Sequence, residues 1–304
     1  MTPKKLISIG ASLSLASSVV ACSSQPDLTV RAVEKTEIIS ELTPAEQFIA
    51  EQPPVGHPTK IALIKDETLS TETNRIAQMT PDEVQPLFTP LKQNGGEIAL
   101  IGLCDNSDRP ALRVHIPSPP RLSPSDLQQV NKPTAPDTRG VSPFKLAEIN
   151  AEHQSQQVRY QQQEQENQAV IQQHQEKLTQ WQTDTEQKLQ AFSTQLQPFL
   201  EKPATCQSSN VYSALGRADT FLNEVDGSWA KAPKNFALLV TDGLHNTDTP
   251  SVQMHSDAEI LLVNGGSGEK GIFANFQHRS FEAVSAAVRY LVEASASQEV
   301  SNDG

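Results

Sequence analysis

Ile61-Ala62-Leu63-Ile64-Lys65-Asp66-Glu67-Thr68-Leu69-Ser70 is the stretch on which the fold turns. Its first four residues are an unbroken apolar run with β-branched side chains, followed at once by charge and hydroxyl groups. Glu97-Ile98-Ala99-Leu100-Ile101-Gly102-Leu103 is a second such run, and residues 111–116 read as a third strand. Far downstream, Phe236-Ala237-Leu238-Leu239-Val240 and Glu259-Ile260-Leu261-Leu262-Val263 repeat the pattern. Continuous runs, unlike alternating ones, belong to strands buried on both faces, as in a parallel sheet covered by helices. Helical patterns at 211–223 and 281–294 supply the cover. Residues 74–93 read as a helix interrupted near Pro81 and Pro86 and stopped by Asn94-Gly95-Gly96. Strands alternating with helices predict an α/β fold with a doubly wound, mostly parallel sheet.

The middle of the chain departs from this plan. Residues 117–143 are rich in Pro, Ser and Thr and read as a surface loop. Ser142-Pro143 has the form of an N-cap followed by proline at the first helical position. From 144 to 200 the composition turns to glutamine, with 17 Gln between residues 154 and 197. Gln, Glu, Lys and Ala favour helix, so a single long helical insertion is expected, roughly 80 Å at 1.5 Å per residue. Val170, Ile171, Leu178, Trp181, Leu189, Phe192, Leu196 and Phe199 recur at spacings of three and four and form one stripe. The carboxyl-terminal half is therefore expected to pack on the globular domain. The amino-terminal half projects or pairs with another helix. It reads equally as a coiled-coil arm, through which the chain oligomerises, and as a solvated polar helix.

The amino terminus carries Lys4 and Lys5, then residues 6–20 without charge. This is a positive n-region followed by a hydrophobic region too short to span a bilayer. It ends Val19-Val20-Ala21-Cys22 and resembles the lipobox of bacterial lipoproteins, in which the cysteine is acylated (palmitate is one such chain) and becomes the first residue. The resemblance implies a signal peptide over 1–21, a lipid anchor at Cys22, and a location on a membrane of the bacterial cell envelope. Residues 22–58 then read as a tether, with a packed helix over 41–50 as the alternative, and 297–304 as a disordered tail.

The full chain carries a net charge of −12. Removal of 1–21 takes two lysines and no acid, making it more negative by two. An acidic chain repels phosphate backbones, so nucleic acid is an unsuitable partner. It also offers no polybasic patch to anionic lipid, which leaves anchoring to the acyl chains. Beyond Cys22 only Cys104 and Cys206 remain, a disulfide candidate in an oxidising compartment.

Ligands in an open parallel sheet bind outside the carboxyl ends of the strands. Asp66 to Ser70 follow the first strand there, Thr241-Asp242-Gly243 follow the fourth, and Ser208-Ser209-Asn210 precede the helix at 211. Together they bring carboxylates and hydroxyls to one edge, an all-oxygen set suited to a hard divalent cation.

In this order the segments resemble the von Willebrand factor A (vWA) family and its metal-ion-dependent adhesion motif (MIDAS). The resemblance covers 59–116 and 201–296. It assigns Asp66, Thr68 and Ser70 to the Asp-x-Ser-x-Ser element, Ser209 to the threonine position, and Asp242 to the last acid. It implies Mg²⁺, or Mn²⁺ or Ca²⁺, bound for adhesion rather than catalysis, with an acidic group of a protein partner completing the coordination. A metal-assisted hydrolase and an envelope scaffold working through the glutamine-rich helix are the alternatives. The nearest cation to Asp66 is Lys65, whose side chain is expected to point away. His245, His255 and His278 show no metal-ligand spacing, and the glycine-rich stretch 265–268 lacks a Walker ending and reads as a turn. Asp105 and Asp108 read as turn residues. Cys104 and Cys206 both fall on the site's edge, where a disulfide would pin the loop carrying Ser209.

Overall fold

The computed structural model describes residues 42–76, 78–105, 111–248, 250–264 and 271–297. The expectations for the signal peptide, for Cys22, for Asp108, for the stretch 265–268 and for the tail beyond 297 lie outside these residues. Six strands form one sheet: β1 (Thr59–Asp66), β2 (Gly96–Leu103), β3 (Leu112–Ile116), β4 (Lys234–Val240), β5 (Glu259–Val263) and β6 (His278–Phe281). Their order is β3-β2-β1-β4-β5-β6. All neighbours are parallel except β2 and β3. The protein is thus α/β with a mostly parallel sheet.

Both faces of the sheet are buried, as the continuous apolar runs require. Ile61, Leu63, Ile98, Leu100, Phe236 and Leu238 face one core, which α3 (Pro81–Val84), α4 (Phe88–Asn94), α7 (Val284–Ala296) and the end of α5 (Pro143–Glu201) cover. Ala62, Ile64, Ala99, Ile101, Ala237 and Leu239 face the other, covered by α6 (Val211–Asn223). Ala62 stands in register with both Ala99 and Ala237. This row of small side chains lets α6, with its own Ala214 and Ala218, lie close on the sheet. Alternation along β1 also sorts its last residues: Lys65 goes to the α5 side and Asp66 to the α6 side.

The connection between β1 and β2 differs from the expected helix over 74–93. A short helix, α2 (Leu69–Thr73), begins directly after Thr68, and Arg75 then takes a left-handed φ of 53° that ends it. Helix resumes only at Pro81, where Thr80 and Glu83 form a capping box. Gly95 stops α4 at a φ of 78°, and a Cβ on Gly96 would lie 2.2 Å from the Thr59 carbonyl oxygen. The expected helix over 281–294 starts at Val284, because His278–Phe281 pairs with β5 as an edge strand.

Helix α5 runs 59 residues, about 88 Å at 1.5 Å per residue. Leu189, Phe192, Leu196 and Leu200 bury its carboxyl-terminal stripe in the domain core. Upstream the stripe turns polar and is strapped by the Pro-rich loop. Trp181 donates to the Pro117 carbonyl at 3.0 Å, and Asn167 exchanges bonds of 2.8 and 3.0 Å with the backbone of Gln128. The tether expected over 22–58 is corrected in its described part. Residues 44–51 form a helix, α1, capped by Thr43 and Glu46, which packs on α5 with Ala45 buried and Phe48 edge-on to His174. The first turns of α5 are open, with Phe144 87 % exposed. Among the described residues no helix is long and apolar enough to cross a membrane.

Glu164 of α5 is buried at 8 % exposure, and neither carboxylate oxygen has a partner among the described residues. Burial, with the Glu46 charge behind it, raises its pKa above the ordinary glutamate value. A raised folded-state pKa means that the folded form binds the proton more tightly, so stability falls as pH rises from about 4.5 through that pKa. Glu164→Gln is expected to gain about 1 kcal/mol at pH 7, and less at pH 4.5, in urea unfolding.

Three sheet lysines terminate helices. The Lys65 ammonium donates to the carbonyls of Phe199, Leu200 and Lys202 at 2.8, 3.0 and 2.9 Å, at the end of α5. Lys60 donates to Phe221 and Glu224 at the end of α6, and Lys234 to Ala294 and Ser297 at the end of α7. None of the three helices carries a basic residue in its own last turn. The sheet thus supplies the cations that these dipole ends favour. Lys65→Met keeps the stem and removes the charge. It is expected to cost about 2–3 kcal/mol in denaturant unfolding, because three carbonyls lose a charged donor.

Candidate functional site

Three loops meet at the carboxyl edge of β1 and β4. The first starts with Asp66, 1 % exposed at the end of β1. Its Oδ1 accepts from the Thr68 backbone N–H at 2.9 Å and from the Thr68 hydroxyl at 2.6 Å. The Thr68 hydroxyl in turn lies 2.9 Å from that of Ser70. Asp66, Thr68 and Ser70 therefore form one hydrogen-bonded chain, with Asp66 taking hydroxyl protons and so leaving oxygen lone pairs free.

The loop after β4 closes on the other side. The Thr241 hydroxyl donates to Asp66 Oδ2 at 2.7 Å. Register explains it: Lys65 is opposite Val240, so Thr241 is the next neighbour of Asp66. Asp242, 5 % exposed, accepts from the Leu244 N–H at 3.0 Å and from the Asn74 side-chain amide at 2.9 Å. Asn74 also donates its backbone N–H to the Ser70 carbonyl at 2.8 Å, which ties the first loop to Asp242.

The third loop leads from α5 to α6. Cys206 bridges Thr68 as a short parallel pair: its N–H donates to the Glu67 carbonyl at 3.0 Å, and its carbonyl accepts from the Leu69 N–H at 2.9 Å. Cys206 is also bonded to Cys104 at the end of β2, with the Cα atoms 5.6 Å apart. Three residues on, the Ser209 N–H donates to the Asn246 side-chain oxygen at 2.6 Å, and its carbonyl accepts from the Asn246 N–H at 3.2 Å. Ser209 is thereby fixed to the Asp242 loop. Its hydroxyl is buried, at 1 % exposure, with no partner among the described residues.

Two buried carboxylates so close repel each other. Burial raises the Asp66 pKa above the usual range, the Thr68 and Thr241 hydroxyls oppose the rise, and the Asp242 charge adds to it. A cation beside Asp66 would reverse this balance. The Lys65 ammonium lies on the far face at the end of α5, as the sequence reading expected, and leaves Asp66 without a cationic neighbour from that residue.

The donor set can be tested for fit. Hydroxyls of Thr68 and Ser70, the unpartnered Ser209 hydroxyl, and two carboxylates are hard oxygen donors, and two acids suffice for a Mg²⁺-type ion that keeps waters. The orphaned Ser209 oxygen is what a missing ligand would satisfy. A second grouping, Cys104, Asp105 and Cys206, has ligand atoms within 4.8 Å of one another. Its two sulfurs are joined to each other, so it holds no thiolate for a metal.

The sequence assigns ligand roles to Asp66, Thr68, Ser70, Ser209 and Asp242, and no role of its own to Thr241, Asn74 or Asn246. Thr241 was findable, since it directly precedes Asp242 at the strand end. Asn74 and Asn246 act by side-chain bonds across loops, for which no local pattern exists. His255 and His278 are occupied elsewhere, by Asp219 and by the Phe276 carbonyl, whereas the His245 ring packs on Tyr212. Comparison with family models, with curated proteins and with solved structures found no match.

Proposed function

We propose that the protein is a lipid-anchored binding protein of the bacterial cell envelope, with a vWA-like domain that holds a divalent cation and, through it, an acidic group on a protein partner. The carrying observation is the chain Asp66–Thr68–Ser70, on a loop paired through Cys206 with the loop that carries the buried Ser209 hydroxyl, unpartnered among the described residues. The strand order supports the fold part of the reading, since 3-2-1-4-5-6 is a doubly wound order with its crevice beside β1 and β4. In this reading the Thr68, Ser70 and Ser209 hydroxyls face the ion, while Asp66, Thr241 and Asn74 orient its ligands from behind. A bound Mg²⁺ supplies open coordination positions that a carboxylate can fill. Asp66 acts here as an acceptor of hydroxyl protons, and nothing in this role requires bond breaking.

Calorimetric titration with Mg²⁺ tests the proposal. Saturable binding in the wild type and none in Asp66→Ala is the expected result. No heat in the wild type, or equal binding in both, contradicts it. Anchoring rests on the resemblance at Cys22.

A further inference from the structure

Where α1 and the Pro-rich loop rest on α5, the stripe of that helix is polar: Glu164, Asn167 and His174 are all buried there. Asn167 is satisfied by the backbone of Gln128, and the His174 ring meets Phe48 edge-on at 6.0 Å between centroids. Glu164 has neither kind of support. Both of its carboxylate oxygens are buried and without a hydrogen-bond partner among the described residues, and the charge that acts on it is Glu46 of α1. A neutral carboxyl in such a place costs far less than an ionised one. The contact between α1 and α5 is therefore conditional on a proton.

The cover over Glu164 is weakly held. α1 is eight residues long and buries one side chain, Ala45. Its carboxyl end is tied to the loop by the Gln52 side chain, which donates to the Leu122 carbonyl at 3.0 Å and accepts from the Leu122 N–H at 3.3 Å. A helix so short does not stand alone in water, and an element with so few buried contacts opens at a small fraction of the global free energy. Lifting α1 is the least costly way to bring water to an ionised Glu164, and it also parts Glu164 from Glu46. We propose that α1 is a pH-dependent latch, docked on α5 while Glu164 carries its proton and released as that carboxyl ionises. On the anchor reading, release lengthens the chain between Cys22 and β1, since residues 44–51 span about 12 Å as a helix and up to about 28 Å extended.

The direction follows from the groups that face one another across this contact. Burial, with the Glu46 charge of α1 behind it, raises the Glu164 pKa in the docked form, so docking weakens as pH rises from about 4.5 through that value. His174 acts the other way. Burial, then the charges of Lys177 on α5 and Arg121 on the loop, lower its pKa against the pull of Asp126 on the same loop, so its share of docking weakens as pH falls from about 6.5.

Hydrogen exchange of the intact chain tests the latch, with the amides of α1 read against those of α6 at about pH 4.5 and about pH 7.5. The α1 amides are expected to be at least about a hundredfold less protected than those of α6, because they exchange by local opening. Glu164→Gln keeps the shape and removes the charge. Protection of wild-type α1 is expected to lie within about twofold of the variant's at the lower pH and about fivefold below it at the higher. His174 titrates in both proteins and cancels in this ratio. A ratio that does not change with pH overturns the latch by removing Glu164 as its trigger. Amides of α1 as protected as those of α6 overturn it by showing that α1 opens only with the whole domain. Neither outcome depends on the cation reading or on the anchor.

Discussion

Replacing Cys104 and Cys206 by serine is expected to lower stability by about 4–5 kcal/mol and the thermal midpoint by roughly 10–20 °C. The bond joins residues 102 apart, so its loss frees a long loop in the unfolded chain. That loop contains all of α5, and the entropy of closure grows slowly with length. A local effect adds to the global one. Cys206 is the residue through which the third loop pairs with Glu67 and Leu69, and Ser209 lies three residues on. Without the bond, the loop that carries Ser209 loses its covalent mooring and keeps only its hydrogen bonds, to Glu67 and Leu69 and, through the Ser209 backbone, to Asn246. Mg²⁺ affinity is therefore expected to fall along with stability. Differential scanning calorimetry with and without a dithiol reductant measures the first effect. An unchanged midpoint would show that the loop is held by its hydrogen bonds alone.

Asp66→Asn is expected to do the opposite to stability while abolishing the cation response. The Asp66 carboxylate is buried with a raised pKa, so its folded form holds the proton more tightly than its unfolded form does. Stability then falls as pH rises from about 3.8 through the folded-state pKa, and above that window the ionised group is a net cost. Asparagine removes the charge and keeps the shape. Its oxygen can accept from Thr68, and its amide can donate to Thr241. Without added metal, the variant is expected to exceed the wild type by about 1–2 kcal/mol at pH 7, with the gap closing toward pH 4. With Mg²⁺ at about 100 times its dissociation constant, the wild type is expected to gain about 2.7 kcal/mol and the variant nothing. Urea unfolding at both pH values, with and without Mg²⁺, reads all four quantities. A wild type more stable than the variant at pH 7 without metal would contradict the electrostatic account of Asp66.

The parallel core of the fold was legible because strands buried on both faces must be apolar without a break. β1, β2, β4 and β5 all meet that condition, and Lys65 and Asp66 could be sent to opposite faces by alternation alone. β6 was not legible. His278, Arg279 and Ser280 line an outer edge with only β5 as neighbour, so no apolar pattern is demanded of them. The place of α1 was open for a similar reason: only Ala45 is buried, and a capping box does not say what a helix rests on. At the candidate site, the acids and hydroxyls were found by their position after strands. Asn74 and Asn246 were missed because bonds such as Asn74 to Asp242 join residues 168 apart, and only the assembled loops make them neighbours. The lysine caps escaped for the same reason, since a helix end that lacks its own cation gives no hint that a strand brings one.

A crystal structure grown with Mn²⁺, with its anomalous signal, locates the bound cation. One strong peak is expected at the edge of β1 and β4, about 2.0–2.6 Å from oxygens of Thr68 and Ser70, with Ser209 and Asp242 around it. A map with no peak there at saturating Mn²⁺, or with the only peak among other side chains, would contradict it.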